Sequence, residues 1–154
     1  MQQAFDNWAI GMALVSIDGR WLQVNRALCE LLGYSSDELL RLDFQTLTHE
    51  DDIERDITQF DRLSEGDIAS YSIEKRYLAR DGQAIWTLLS VSAVRDDDGE
   101  IRYFINQIQD ISERKDVEAR LQRSNDDLSQ AVDDLRRYES ELLRIQELGQ
   151  QLMR

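Results

Sequence analysis

From Val117 onward, mostly apolar residues return every seven positions. Leu121, Leu128, Leu135 and Leu142 mark one position of the heptad, with Gly149 ending the series. Val117, Ser124, Ala131, Tyr138, Ile145 and Leu152 mark the other. Steps of four and three between the two sets assign the leucines to position a and the others to position d of a coiled-coil seam. The chain has no proline, as a long helix requires, because an interior proline costs roughly 3 kcal/mol. A helix over 113–154 would reach about 60 Å at 1.5 Å per residue, beyond the span of a small domain. Its leucine stripe needs a partner helix, and a parallel homodimer is the simplest geometry. The seam is imperfect: Ser124 and Ala131 bury little, Asp134 faces Glu139 of a parallel partner, and Leu148 with Ile145 and Leu152 offers a competing register.

The residues ahead of this rod are of another kind. Two apolar runs, 12–17 and 20–24, flank Asp18-Gly19 and predict a hairpin, because Asp and Gly tolerate the positive φ of a tight turn. Asn25 suits the N-cap of a short helix carrying Leu28, Leu31 and Leu32, and Gly33 suits its end. Ser35 and Glu38 have capping-box spacing. Thr48-His-Glu-Asp51 repeats the device ahead of a helix expected to turn Ile53, Ile57 and Phe60 inward and to end by Gly66. Turns at Arg80-Asp81-Gly82-Gln83 and Asp96-Asp97-Asp98-Gly99 then separate three runs rich in strand formers, an antiparallel meander. A short helix is also expected over Gln2–Trp8. The sum is an α+β domain: a five-stranded antiparallel sheet with helices on one face, over 1–112, followed by a coiled-coil helix over 113–154.

Composition excludes several functions. A net charge of −13 argues against nucleic-acid binding, and ten acidic against eight basic residues from Glu113 onward place most of the excess on the first 112. No stretch of 18 apolar residues and no signal-peptide pattern is present, so no membrane contact is expected. The single cysteine, Cys29, excludes an internal disulfide and fits a reducing cytoplasm. Arg154 falls within helical sequence without a cap, which suggests a longer parent chain.

The ordered series of motifs is recognisable. Gly11 through Asn25, then Leu32-Gly33-Tyr34, Glu38-Leu39 and His49-Glu-Asp-Asp52, resemble the front half of a PAS domain. Asp81-Gly-Gln-Ala-Ile-Trp86, Asp98-Gly99 and the closing Asp110-Ile-Ser-Glu-Arg-Lys115 resemble its PAC segment. The resemblance covers about residues 5–115. It implies a bacterial sensory or dimerisation module that regulates an output domain outside this chain, a diguanylate cyclase first and a histidine kinase second. Asp110, Ile111 and Ser112 would carry the signal from domain to rod.

Members of the family hold flavin, haem, small metabolites or nothing, so fold does not settle the ligand. Flavin photoreceptors carry a cysteine in an Asn-Cys-Arg-Phe-Leu-Gln motif; here the corresponding stretch Arg41–Leu47 has none, which argues against covalent flavin. Their flavin-sensing glutamine aligns near Ile108, with Gln107 and Gln109 on either side. Haem would need a histidine on the long helix, where there is none; His49 lies before it, in a capping position. No cofactor is therefore assigned, and non-covalent flavin stays open. Asp96–Gly99 resembles part of a calcium loop, but Val94 stands where the first carboxylate belongs. No phosphate loop or nucleophile pair suggests an enzyme. Pocket walls are expected from Leu14, Leu28, Leu32, Leu47, Ile53, Ile57, Trp86, Leu88 and Ile105. A filled core would instead favour a ligand-free interaction and dimerisation module.

Overall fold

In a computed structural model, the structure describes residues 9–153; the helix expected over 2–8 lies outside them. Through Glu113 the chain forms one compact unit, and from Arg114 onward a second. The first unit opens with a hairpin, β1 (Gly11–Val15) and β2 (Trp21–Val24). Gly19, at φ 89°, makes its turn. Four helices follow: α1 (Arg26–Leu32), α2 (Ser36–Leu40), α3 (Phe44–Leu47) and α4 (Glu50–Ser64). Then comes the meander β3 (Ser70–Leu78), β4 (Ala84–Arg95) and β5 (Ile101–Asp110).

The sheet order is β2-β1-β5-β4-β3, all antiparallel. β5 is thus the central strand, and β1 joins hairpin to meander through Gly11 opposite Ile108 and Val15 opposite Phe104. The approach is close at Gly11, where an added Cβ would stand 2.9 Å from the Ile108 carbonyl oxygen.

Caps set the helix starts. Asn25 accepts from the Leu28 N–H, and Ser35 with Glu38 completes a capping box. Asn25 does more than cap: its Oδ1 also accepts from Met12 N–H at 2.9 Å and its Nδ2 donates to the Ile10 carbonyl at 2.9 Å, fastening α1 to β1. At α4 the expected cap is displaced by one residue. His49 is the N-cap and accepts from Asp51 N–H, while the Thr48 hydroxyl donates back to the Phe44 carbonyl at 2.6 Å.

The core lies between the helices and one sheet face. Ala13, Val15, Leu28, Leu32, Leu39, Leu47, Leu63, Leu89, Val91, Phe104 and Ile108 are fully enclosed. An aromatic series fills its centre: Phe44 and Phe60 centroids stand 5.3 Å apart, Phe60 and Phe104 4.7 Å.

The second unit is formed by α5 (Ser112–Leu152) from Arg114 onward; the helix is 41 residues long with no buried residue. Leu121, Leu128 and Leu135 are 69%, 64% and 62% exposed. Val117, Ser124, Ala131, Tyr138, Leu142, Ile145 and Leu152 are exposed as well.

Candidate functional site

The period-two alternation of β3 places Tyr71, Lys75 and Tyr77 on the enclosed face of the sheet, with a lysine in the middle of an apolar row. Above them α4 presents Asp52, Asp56 and Leu63 as its buried residues. The two meet in an ion pair sealed from water: Lys75 Nζ stands 2.5 Å from Asp56 Oδ2, with the side chains 0% and 1% exposed. Asp56 Oδ1 accepts from the Tyr71 hydroxyl at 2.9 Å, and Lys75 Nζ donates to Thr48 Oγ1 at 2.7 Å. The Lys75 ammonium also lies over two rings, 4.2 Å from the Tyr77 centroid and 5.5 Å from that of Phe44. Thr87 donates to the Lys75 carbonyl, which fixes the strand beneath.

Burial and charge set the protonation of this cluster. Burial lowers the Lys75 pKa, and Asp56 opposes that by favouring the ammonium. Burial, and then the Asp56 charge, push the Tyr71 phenol well up, so it stays a proton donor. The Tyr77 hydroxyl is raised by burial too, and it is sealed inside without a hydrogen-bond partner.

A second acid–base rung lies one helical turn earlier. Asp52 takes the Arg76 guanidinium through both oxygens, Nε to Oδ2 at 3.0 Å and Nη2 to Oδ1 at 3.1 Å. It accepts the Arg76 N–H as well. Burial raises the Asp52 pKa, but the Arg76 side-chain and backbone hydrogen bonds and charge outweigh it and hold the carboxyl below the usual aspartate value. The His49 N–H donates to the Arg76 carbonyl and Arg55 to that of Glu74, so the start of α4 covers the open edge of β3.

The residues expected to wall a pocket divide into two groups. Leu28, Leu32 and Leu47 are in the core, and Ile57 packs against it. Leu14, Trp86, Leu88 and Ile105 are not: strand parity turns them to the opposite face, where Leu14 pairs with Ile105 across β1 and β5. Their apolar character had suggested an inward direction, but the register fixed by the Asp-Gly turns decides otherwise. Ile53 is half-buried and lies outside the core cluster, because α4 is rolled so that Asp52 and Asp56 face inward.

At the flavin-sensing position Ile108 points into the core, while Gln107 and Gln109 are exposed. Cys29 is half-buried against the core. Asp96 closes its turn by accepting from the Asp98 and Glu100 N–H groups. Among the described residues, no group of three or more His, Cys, Asp or Glu is arranged to hold a metal ion, and no helix is long and apolar enough to cross a membrane. At the start of the rod, Ile111 is buried and donates its N–H to the Trp86 carbonyl on β4 at 3.0 Å; Asp110 accepts from Ser112 N–H.

The sequence patterns do not single out Lys75, Asp56, Tyr71 or Tyr77, and they mark Thr48 only as a helix cap. Two signals were there: acids four apart on one face of α4, and a lysine in phase with tyrosines on a strand.

This arrangement, a five-stranded antiparallel sheet with helices laid over one face and a long helix leaving its central strand, is that of a regulatory sensor fold. Residues 9–113 match the family described as PAS domain, and the chain belongs to it. It is 51% identical over 117 residues to the probable diguanylate cyclase DgcE of Escherichia coli (strain K12), covering 76% of this chain and 11% of that protein. It is 29% identical over 126 residues to the sensor histidine kinase TmoS of Ectopseudomonas mendocina, covering 82% of this chain and 13% of that one. Among solved structures, the N-terminal domain of a diguanylate cyclase with PAS/PAC sensor from Marinobacter aquaeolei superposes with a TM-score of 0.62 at 25% identity, covering 69% of this chain and 98% of that one. The chain therefore spans only 11–13% of the length of these two relatives.

Proposed function

We propose that this PAS domain is a cytoplasmic sensory module that dimerises through α5 and relays its state along a parallel coiled coil to an output domain elsewhere in a longer protein. The observation that carries the reading is the exposed leucine row of α5: Leu121, Leu128, Leu135 and Leu142 recur every seven residues and meet no buried surface. A helix of 41 residues with such a row gains stability when a second copy covers it, at about 1.5–3 kcal/mol per well-buried leucine. Residues 1–112 are the sensing part and 113–154 the transmitter, and Asp110, Ile111 and Ser112, the last of the sensing part, pass the signal on. A cyclase is the favoured output because the relative sharing half its residues over this region carries that name; a histidine kinase is second. Catalysis would reside in that output.

Sedimentation equilibrium tests the dimer, and cysteine crosslinking at successive positions of α5, with and without ligand, tests the relay. A monomer across the accessible concentration range would overturn the first. One identical crosslinking pattern in both states would leave a static dimeriser. The second reading, a ligand-free interaction and dimerisation module, draws support from the Phe44–Phe60–Phe104 series filling the interior. Absorption spectroscopy of the purified protein and mass spectrometry of its denatured extract discriminate: a bound chromophore or metabolite favours the sensor, an empty extract the module.

A further inference from the structure

One guanidinium serves two neighbouring elements at once. Arg76 stands on β3 between the enclosed Lys75 and Tyr77, and its side chain leaves the strand on the opposite side. Its nitrogens take both oxygens of Asp52 in the first turn of α4, Nε at 3.0 Å and Nη2 at 3.1 Å. The centre of the same guanidinium lies 4.9 Å from the ring centroid of Trp86, the residue directly opposite on β4. Trp86 immediately precedes Thr87, whose pairing with Asp110 is the last between β4 and β5, and its carbonyl accepts the Ile111 N–H at 3.0 Å. The end of the sheet that α4 clamps is thus the end where the chain passes from β5 to the root of α5. Holding α4 does not by itself account for this arrangement. Lys75 and Asp56 already fasten the helix from inside, and a compact ammonium would bind Asp52 as well. Contact with the indole is a further property, and it selects arginine: a planar guanidinium offers its edge to a carboxylate and its face to a ring, which an ammonium cannot do.

We propose that Arg76 is a latch coupling the docking of α4 to the root of α5: it grips Asp52 and covers the ring of Trp86, the residue that holds Ile111. With α4 docked, the bonds to Asp52 fix the guanidinium over the indole. The covered ring steadies the start of β4 and, through it, the bond from Ile111 N–H to the Trp86 carbonyl. When α4 moves away, Arg76 loses its orienting acid and its long side chain regains its rotamers. The ring is then uncovered, and Ile111 is held less firmly. Contiguity alone does not make a coupling; a shared free energy does, and it can be measured. It is also reciprocal, so whatever fixes Ile111 favours docked α4. The inference rests on the relay reading above and names the residue that regulates its exit point.

Native-state amide exchange of the full chain tests the latch. The internal reference is the Asn25 N–H, held by the Met12 carbonyl on β1 at 3.0 Å. Arg76→Lys keeps the charge and the strand N–H that Asp52 accepts, and removes the flat face. Exchange at Ile111 should then rise at least about fivefold relative to Asn25, the lower end of the usual coupling between linked sites. Asp52→Asn should do the same. In a Trp86→Leu background, Asp52→Asn should add less than about twofold at Ile111, because the link is already cut. Equal acceleration of Ile111 and Asn25 would mean a general loss of stability and overturn the latch. An unchanged Ile111 rate in Arg76→Lys would overturn it too, as would an Asp52→Asn effect of the same size with and without Trp86. Should Trp86→Leu not fold, Trp86→Thr replaces it under the same criteria, and the Arg76→Lys comparison decides without either. Monomers in sedimentation would end the dimeric relay without altering these rates, so failure of that reading and failure of the latch are separate results.

Discussion

Lys75 and Asp56 face each other at 2.5 Å across the interface of β3 and α4, with no solvent contact on either side chain. Removing one partner strands the other charge in the interior. Lys75→Met should destabilise the domain by about 3–5 kcal/mol. Lys75→Met with Asp56→Leu should cost less than Lys75→Met alone, because no charge is left unpaired. Urea unfolding of the three proteins checks this; additive costs in the double variant would mean that the two groups do not act as a pair.

Asn25 should be among the most sensitive polar positions of the first unit. It serves Met12, Leu28 and Ile10 from inside the core, so Asn25→Ala leaves buried backbone groups unmet and should cost about 1–3 kcal/mol. Asn25→Asp keeps the acceptor and loses the donor, and a denaturation midpoint between those of wild type and Asn25→Ala is expected.

Acid should release the outer rung of α4. The folded-state pKa of Asp52 is depressed, so its contribution is complete above the unfolded aspartate value of about 3.9 and is lost as pH falls through the lower folded value. Asp52→Asn should be less stable at neutral pH and should lose less stability than wild type between about pH 5 and pH 2. Parallel curves of stability against pH would refute that assignment.

In the proposed parallel dimer, Leu135 is a seam residue and Asp134 faces Glu139 of the second copy. Leu135→Lys should therefore yield monomers in sedimentation equilibrium. Asp134→Lys should turn a repulsive pair into an attractive one and strengthen association by a few tenths of a kcal/mol per pair, about 0.2–1 in all. A dimer unaffected by Leu135→Lys would show that the contact lies elsewhere.

Punctuation made the fold legible. Asp18-Gly19, Asp81-Gly82 and Asp98-Gly99 fix turns by backbone chemistry alone, and Asn25, Ser35 and Gly33 fix helix ends by local hydrogen bonds. Each of these signals lies within a few residues of its effect. The interior site did not show because its logic is non-local: Asp56 and Lys75 are 19 residues apart in sequence. Hydrophobicity, used as a guide to what faces inward, selected Ile53 over Asp52 and Asp56, and Trp86 and Leu88 over Thr87. The opposite choice is stable because these buried carboxylates are answered: Asp52 by Arg76, Asp56 by Lys75 and Tyr71. Strand parity counted from the turn residues would have turned Leu14, Trp86, Leu88 and Ile105 outward.

Gly11 lies opposite Ile108, so the first and last strands run side by side in the middle of the sheet. The backbone thus enters and leaves the domain at adjacent points. Such a unit can be spliced into a longer polypeptide like a side loop on a cable, without forcing apart whatever precedes and follows it. Several copies can be threaded in series on the same principle, each reading its own input where the line passes.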